Sequence, residues 1–363
     1  MRLALGGGGS GGHVFPALAV AQSLSACTKD KVELLYLGRA TGVEATLARD
    51  AGVPFRDVSA RPVRDRNIVA QLWSLGALAL GVWDAAWALR RFRADAVLVT
   101  GGFASVPVAI AGRLLRIPVI LYQPDIEPGW AVRQIYRVAT RVCLTHASSL
   151  DGAPRGKSVV TGYPLRSVFA EVDRPMARAH FDLNGSPTVL VAGAVQGARR
   201  INDTLAADLA GWLETAQIIH VTGPGDYRRM LQLRDALPPT LGYRYRPFEY
   251  LGDDFPIALA AADLAVSRAG ASILGEYPAT SLPAVLVPLP MAGGHQLANA
   301  RTLEEAGAAV VVEDAATPET LLPLVREILA DADRLDGMRQ RASAAAQPDA
   351  ARNIARAIWE ARR

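Results

Sequence analysis

Short apolar runs alternate along the chain with longer stretches in which apolar positions recur at helical spacing. In the first half the runs lie at Arg2 to Leu5, Val32 to Leu37, Ala96 to Thr100, Val119 to Tyr122 and Arg141 to Leu144. In the second they lie at Thr188 to Ala192, Gln217 to Thr222, Tyr243 to Pro247, Leu264 to Ser267, Ala284 to Pro288 and Ala309 to Val312. Runs that are apolar throughout fit strands buried on both faces, and their alternation with helical stretches predicts parallel sheets built from βα units. Two doubly wound α/β domains are expected. A short strand at Val159 to Tyr163 and the break at Pro164 place the first domain at residues 1–163 and the second at 164–345. The stretch 346–363 reads as a helix with no strand after it, which suits a return onto the first domain.

One helical stretch stands apart. Ile68 to Leu89 is rich in Leu, Ala, Val, Gly and Trp and lies between Arg61-Pro62-Val63-Arg64-Asp65-Arg66 and Arg90-Arg91-Phe92-Arg93. Asp84, Gln71 and two glycines lower its hydropathy, and a spanning segment would leave the first sheet without cover, so it is not expected to cross a bilayer. Trp83 and Trp87 share one helical face, with Trp73 close to it. Two compatible roles follow: docking on an anionic membrane surface, or packing as core on the sheet.

Length and composition fit this organisation, since 363 residues with 50% hydrophobic and 20% charged positions suit two folded domains. Cys27 and Cys143 have neither a disulfide framework's number nor a metal site's spacing. The start MRLALGGGGSGG is too short for the apolar region of a signal peptide, so a cytoplasmic location is expected. A net charge of +4 is a mild attraction to anionic phosphates, and without aromatic–basic interleaving it gives no nucleic-acid signature.

The candidate chemistry sits where strands end. Gly6-Gly7-Gly8-Gly9-Ser10-Gly11-Gly12-His13 follows the first strand and opens a helix, a combination that brings backbone N–H groups and a positive dipole end close to a phosphate. It lacks the lysine of a P-loop and the spacing of a dinucleotide fingerprint. Thr100-Gly101-Gly102-Phe103-Ala104-Ser105 repeats the arrangement, and both loops are expected at one crevice. In the second half Gly193-Ala194-Val195-Gln196-Gly197-Ala198 and Ser267-Arg268-Ala269-Gly270-Ala271-Ser272 follow strands. Glu276, about a turn and a half into the next helix, can accept hydrogen bonds from a ribose diol. His295, Gln296 and Asn299 begin another helix and suit sugar hydroxyls.

In this order the motifs resemble the MurG family of bacterial N-acetylglucosaminyltransferases, over nearly the whole chain. Gly8-Gly9-Ser10-Gly11-Gly12-His13-Val14-Phe15-Pro16-Ala17-Leu18-Ala19 is similar to its first glycine loop, with serine where threonine is usual. Gly101-Gly102-Phe103 is similar to its second loop, and Gly162-Tyr163-Pro164-Leu165-Arg166 to the segment whose arginine faces the donor. The resemblance implies a glycosyltransferase-B fold with two domains facing a cleft. It further implies inverting transfer of N-acetylglucosamine from UDP-N-acetylglucosamine to undecaprenyl-diphosphate-linked N-acetylmuramoyl-pentapeptide, in peptidoglycan synthesis on the cytoplasmic face of the membrane. No cofactor, catalytic metal or nucleic-acid partner is implied.

The acceptor residues implied are Ser10, Gly11, Gly12, Gly101, Gly102 and Gln123. Those for the donor are Arg166, Gln196, Gly197, Ala198, Phe248, Ala271, Glu276, Gln296 and Asn299. His13 is the first candidate base and Asp125 the second. The chain departs from the family at Leu121-Tyr122-Gln123-Pro124-Asp125, where His-Glu-Gln-Asn is usual, and Asp125 or Glu127 can stand in for the missing carboxylate. Valine replaces a hydroxyl at Val195. These changes leave open a related transferase with another lipid or small-molecule acceptor, and a non-catalytic UDP-sugar-binding protein; a UDP-sugar epimerase would need acidic and basic groups that the sequence does not offer.

Overall fold

The computed structural model describes residues 1–9, 11–27, 31–60, 68–193, 197–290 and 294–362. The chain forms two compact units, one of Met1–Ser167 with Gln347–Arg363 and one of Val168–Ala346.

The first unit begins β1 (Arg2–Gly6), α1 (Gly11–Cys27), β2 (Glu33–Gly38), α2 (Val43–Asp50), β3 (Phe55–Asp57) and α3 (Ile68–Phe92). It continues β4 (Ala96–Val99), α4 (Ser105–Leu114), β5 (Val119–Gln123), α5 (Trp130–Ile135), β6 (Arg141–Leu144) and β7 (Ser158–Val160). These strands form one parallel sheet in the order β3-β2-β1-β4-β5-β6-β7. β3 is not legible as a strand in the sequence, because Phe55-Arg56-Asp57 is too short and polar to carry a period; it forms by pairing Tyr36 with Phe55 at the sheet edge.

The second unit runs α6 (Arg174–His180), β8 (Thr188–Ala192), α7 (Arg199–Ala207), α8 (Leu209–Thr215), β9 (Gln217–Val221), α9 (Tyr227–Asp235), α10 (Pro239–Gly242) and β10 (Tyr245–Phe248). It closes with α11 (Phe255–Ala261), β11 (Leu264–Ser267), α12 (Ile273–Ala279), β12 (Ala284–Leu286), α13 (His295–Glu305), β13 (Ala309–Val311), α14 (Thr317–Ala330) and α15 (Ala332–Ala344). Its parallel sheet has the order β10-β9-β8-β11-β12-β13. Val189, Val191, Ile218 and Val266 meet helices on one face, while Leu190, Ile219, Ala265 and Leu286 meet helices on the other. Both faces are covered, which explains why these strands read as continuous apolar runs.

The last helix, α16 (Ala350–Ala361), belongs to the first unit and packs on α1. It buries Ile354, Ala355, Ala357 and Ile358, and α1 buries Val14, Ala17, Val20, Ala21 and Leu24. Asp95 receives Arg362 at 3.7 Å near the helix end.

In α3, Ala85, Ala88 and Leu89 are buried, whereas Trp83 is 73% and Leu80 62% exposed and Trp87 is also exposed. Trp83 and Trp87 are therefore not core, which was one of the two roles expected of them. The Arg56 guanidinium carbon lies 4.5 Å from the centre of the Trp87 ring and that of Arg91 at 5.6 Å, a cation–π arrangement at the surface. Asp84 is explained by its contacts, since its carboxylate accepts from the Ser59 hydroxyl at 3.0 Å and the Ser59 N–H at 3.4 Å. Among the described residues no helix is long and apolar enough to cross a membrane.

Candidate functional site

In each sheet the direction of winding reverses once, between β1 and β4 and between β8 and β11. Such a reversal leaves a crevice beyond the carboxyl ends of the two strands, where ligands of open α/β sheets bind. The loops singled out in the sequence leave these strands, so chain order and sheet topology select the same positions.

In the first unit the two glycine loops touch backbone to backbone. Gly102 has φ +78°, and a Cβ there would lie 2.2 Å from the Gly8 carbonyl oxygen, so only glycine allows this approach. His13 sits in the first turn of α1 against Gly101. Its Nδ1 is 2.8 Å from the Thr100 carbonyl oxygen. A carbonyl only accepts, so Nδ1 carries the proton of the neutral imidazole and Nε2 keeps a lone pair. The Thr100 hydroxyl donates to the His13 carbonyl at 2.6 Å. The early N–H groups of α1, at Gly11 and Gly12, have no partner within the helix and suit an anion. Ser10 lies outside the described residues.

Glu44, which sequence reasoning missed, shapes this loop from beneath. It is 1% exposed, and its carboxylate accepts from the Gly9 N–H at 3.3 Å and the Arg39 N–H at 3.1 Å. A Cβ on Gly8 would sit 2.5 Å from its Oε1, so glycines make room for the carboxylate as well as for a ligand. The Tyr36 hydroxyl donates to the Gly7 carbonyl at 3.1 Å, and burial, aided by the Glu44 charge, raises its pKa so that it stays protonated. Glycine spacing announces a loop, but nothing in it announces the carboxylate that arranges it.

Gln123, expected at the acceptor, supports the loop after β5. It is 1% exposed, its Nε2 donates to the Asp125 and Ile126 carbonyls at 2.9 and 3.0 Å, and its Oε1 accepts from the Tyr136 hydroxyl. Burial pushes the Tyr136 pKa up to about 12. Leu121 and Tyr122, at the positions where histidine and glutamate were expected, are fully buried, and the Tyr122 hydroxyl is 2.7 Å from Thr145 Oγ1. The departure is therefore a repacked interior. Asp125, half-buried, is the nearest carboxylate along the chain to these positions. Arg166, assigned to the donor domain, lies in the first unit with its guanidinium carbon 4.8 Å from the centre of the Phe15 ring.

In the second unit Gly197 has φ +78°, and a Cβ there would meet the Thr222 carbonyl oxygen at 2.2 Å. Ala198 caps α7, whose Asn202 is buried and donates to the Thr222 carbonyl at 2.9 Å and to Asp226 at 2.8 Å. Asn202 Oδ1 receives His220 Nε2 at 3.0 Å, and His220 Nδ1 lies 2.7 Å from the Tyr245 hydroxyl. Burial lowers the His220 pKa to about 3, so the ring is neutral. Gln196 lies outside the described residues.

Across the reversal, Glu276 is half-buried in the first turn of α12, earlier in the helix than its spacing suggested. Ala271, in the loop before α12, is buried. Gln296 Oε1 accepts from the Leu289 N–H at 2.9 Å and the Ala269 N–H at 3.3 Å, so its Nε2 hydrogens are what it can offer a ligand. Asn299, expected at the donor sugar, is fully buried and donates to the Ala269 carbonyl at 3.2 Å, which ties α13 to the loop after β11. Phe248, half-buried at the end of β10, meets Phe181 edge-on with ring centres 5.7 Å apart.

Comparison with known proteins bears on both units. Residues 3–144 match the glycosyltransferase family 28 N-terminal domain and residues 188–354 its C-terminal domain. A UDP-N-acetylglucosamine--N-acetylmuramyl-(pentapeptide) pyrophosphoryl-undecaprenol N-acetylglucosamine transferase from Roseiflexus sp. (strain RS-1) is 40% identical, covering 98% of this chain and 94% of its own. The protein of the same name from Moorella thermoacetica is 38% identical, with 99% and 98% covered. Among solved structures, MurG of Acinetobacter baumannii matches with a TM-score of 0.75 at 26% identity over 99% of each chain. A UDP-GlcNAc 2-epimerase from Neisseria meningitidis shares the fold alone, with a TM-score of 0.69 at 12% identity, covering 99% of this chain and 100% of its own.

Proposed function

Because the chain belongs to glycosyltransferase family 28 and, within it, to the MurG transferases, we propose that it transfers N-acetylglucosamine from UDP-N-acetylglucosamine to undecaprenyl-diphosphate-linked N-acetylmuramoyl-pentapeptide. The observation that carries this reading is the full-length identity to such transferases, which spans both crevices. An epimerase with the same fold has only the fold in common with it. The altered segment around Tyr122 changes interior packing, so it gives no separate support to a different acceptor.

The first unit takes the acceptor, its diphosphate resting on the N–H groups of Gly11, Gly12, Gly101 and Gly102. His13 Nε2 removes the acceptor hydroxyl's proton as that oxygen attacks the anomeric carbon, and the bond to UDP breaks on the opposite face, so configuration inverts. Asp125 is the second candidate base. The second unit takes the donor: the loop through Gln196, Gly197 and Ala198 receives the diphosphate, Glu276 the ribose diol, and Gln296 Nε2 the sugar. The charge that develops on the leaving diphosphate is stabilised by N–H groups at the start of α7, and this requires no metal. Ala271 and Phe248 border the nucleoside.

The chain works as a peripheral protein on the cytoplasmic face of the membrane, with Leu80, Trp83 and Trp87 of α3 at the lipid interface and Arg56 and Arg91 drawing anionic head groups. The deciding experiment is transfer of radiolabelled N-acetylglucosamine to a short-chain acceptor analogue, with and without EDTA. Product in both conditions is expected. Binding of UDP-N-acetylglucosamine without any product would overturn the assignment, and loss of product with EDTA would overturn metal independence alone.

A further inference from the structure

Apart from the two crevices, a cavity of about 620 Å³ lies in the first unit between the ends of β2 and β3 and the helix α3. Small-ligand sites run to roughly 300–1,000 Å³, so its size is sufficient. Val58, Ala60, Ala77 and Leu80 make its walls apolar, and Arg39 and Thr41 stand at its rim. The cavity is a product of how α3 docks. A Cβ on Gly81 would lie 2.0 Å from the Ser59 carbonyl oxygen, and Asp84 holds the Ser59 N–H and hydroxyl one turn along. The helix thus touches the chain after β3 at Gly81 and stands away from it at Ala77.

Two connections say what the cavity is for. Its rim leads to the first glycine loop, because the two oxygens of Glu44 accept from the Arg39 N–H at 3.1 Å and the Gly9 N–H at 3.3 Å. Its outer wall leads to the exposed stripe of α3, since Leu80 lines it and Trp83 and Trp87 follow on the same helix. For a molecule with a diphosphate at the loop and an apolar chain attached to it, this cavity offers apolar walls one hydrogen-bonded residue from the loop and next to the exposed stripe of α3. The lining carries one guanidinium and one carboxylate, Arg39 and Asp57, and Asp57 is engaged with the Ala40 N–H at 2.7 Å. With no net charge and apolar walls, it suits a hydrocarbon chain better than an anionic head group.

We propose that this cavity binds the first isoprene units of the lipid-linked acceptor, next to the diphosphate. The inference rests on the acceptor assignment above, and its test separates the two. Transfer is measured with acceptor analogues carrying one isoprene unit or four, for the native protein, Ala77→Phe, which fills the cavity, and Thr41→Trp, which covers its exposed rim. In the native protein the longer chain lowers the acceptor KM at least tenfold, as burial of several CH₂ groups requires. Both variants lose most of that gain while KM for the one-unit analogue and for UDP-N-acetylglucosamine stays within about twofold. Thermal melts confirm that the variants fold, and Thr41→Trp, at an exposed position, carries the test if Ala77→Phe does not. A chain-length gain that survives in the folded variants, or no gain in an active native protein, overturns the cavity assignment. Absence of transfer to either analogue overturns the acceptor reading beneath it.

Discussion

A carbonyl oxygen has no proton to give, and that fixes which nitrogen of His13 faces Thr100 and which keeps a lone pair for an incoming hydroxyl. Replacing His13 with Ala should lower kcat by about 10²–10⁴-fold, the usual worth of general acid–base catalysis. UDP-sugar affinity, measured by calorimetry, should hardly change, and equal losses in both would remove His13 as the base. Glu44 acts one step further from the reaction. In Glu44→Gln one carboxylate oxygen becomes an NH₂ facing a backbone N–H, leaving buried groups unsatisfied at a cost of about 1–3 kcal/mol. Urea unfolding should show that loss, and the acceptor KM should rise while the donor KM holds.

His220 gives a pH dependence of known sign. Its pKa falls from 6.5 in the unfolded chain to about 3 in the fold, because burial disfavours the charged ring. Between these values the unfolded state binds the extra proton, so stability is full above pH 6.5 and is lost as pH falls toward 3. The slope approaches about 1.4 kcal/mol per pH unit, so roughly 2 kcal/mol should go between pH 7 and pH 5. Urea midpoints at those two pH values measure it, and His220→Gln, which keeps both hydrogen-bonding roles without a titrating ring, should flatten the difference.

At the scale of elements, α3 carries two jobs on two faces. Its buried face holds Ala85, Ala88 and Leu89 to the sheet, and its exposed face presents Leu80, Trp83 and Trp87. Changing Trp83 and Trp87 together to Ala should leave the thermal midpoint nearly unchanged, because exposed side chains contribute little to folding. Sedimentation with anionic vesicles should fall several-fold, whereas neutral vesicles should bind both proteins weakly. Retained vesicle binding would remove α3 as the interface. The crevice helices divide in the same way: α13 uses Asn299 and Gln296 Oε1 to hold the loops after β11 and β12, and the amide hydrogens of Gln296 are not used in holding either loop.

For the whole molecule, the chain crosses from one unit to the other and returns, so the first unit is completed by residues far along the chain, Gln347–Arg363. Full burial of Ile354 and Ile358 in α16 is worth about 1.5–3 kcal/mol each. Two such residues approach the ~5–15 kcal/mol of net stability typical of a folded protein. A chain ending at Ala346 should therefore expose the α1 face and melt at least about 10 °C lower in its first transition, with calorimetry as the readout. An unchanged melt would mean that α16 is dispensable to the first unit.

Much of this was determined by sequence, because a strand buried on both faces must be apolar throughout and a loop that approaches a phosphate must be glycine-rich. Those constraints are local, so chain order alone places the loops that follow β1, β4, β8 and β11. Three matters needed the fold. Gln123 and Asn299 read as ligand groups, yet are enclosed by carbonyls that only folding brings near them. Glu44 lies thirty-five residues beyond Gly9 and reads as an ordinary helix carboxylate until β1 and β2 pair and bring it under the loop. Asp84 reads only as a charge that weakens an apolar stretch, and proves to be the group that fastens α3 to Ser59. Periodicity reports which face of an element is apolar; which distant backbone group a polar side chain will satisfy is settled only when the elements pack.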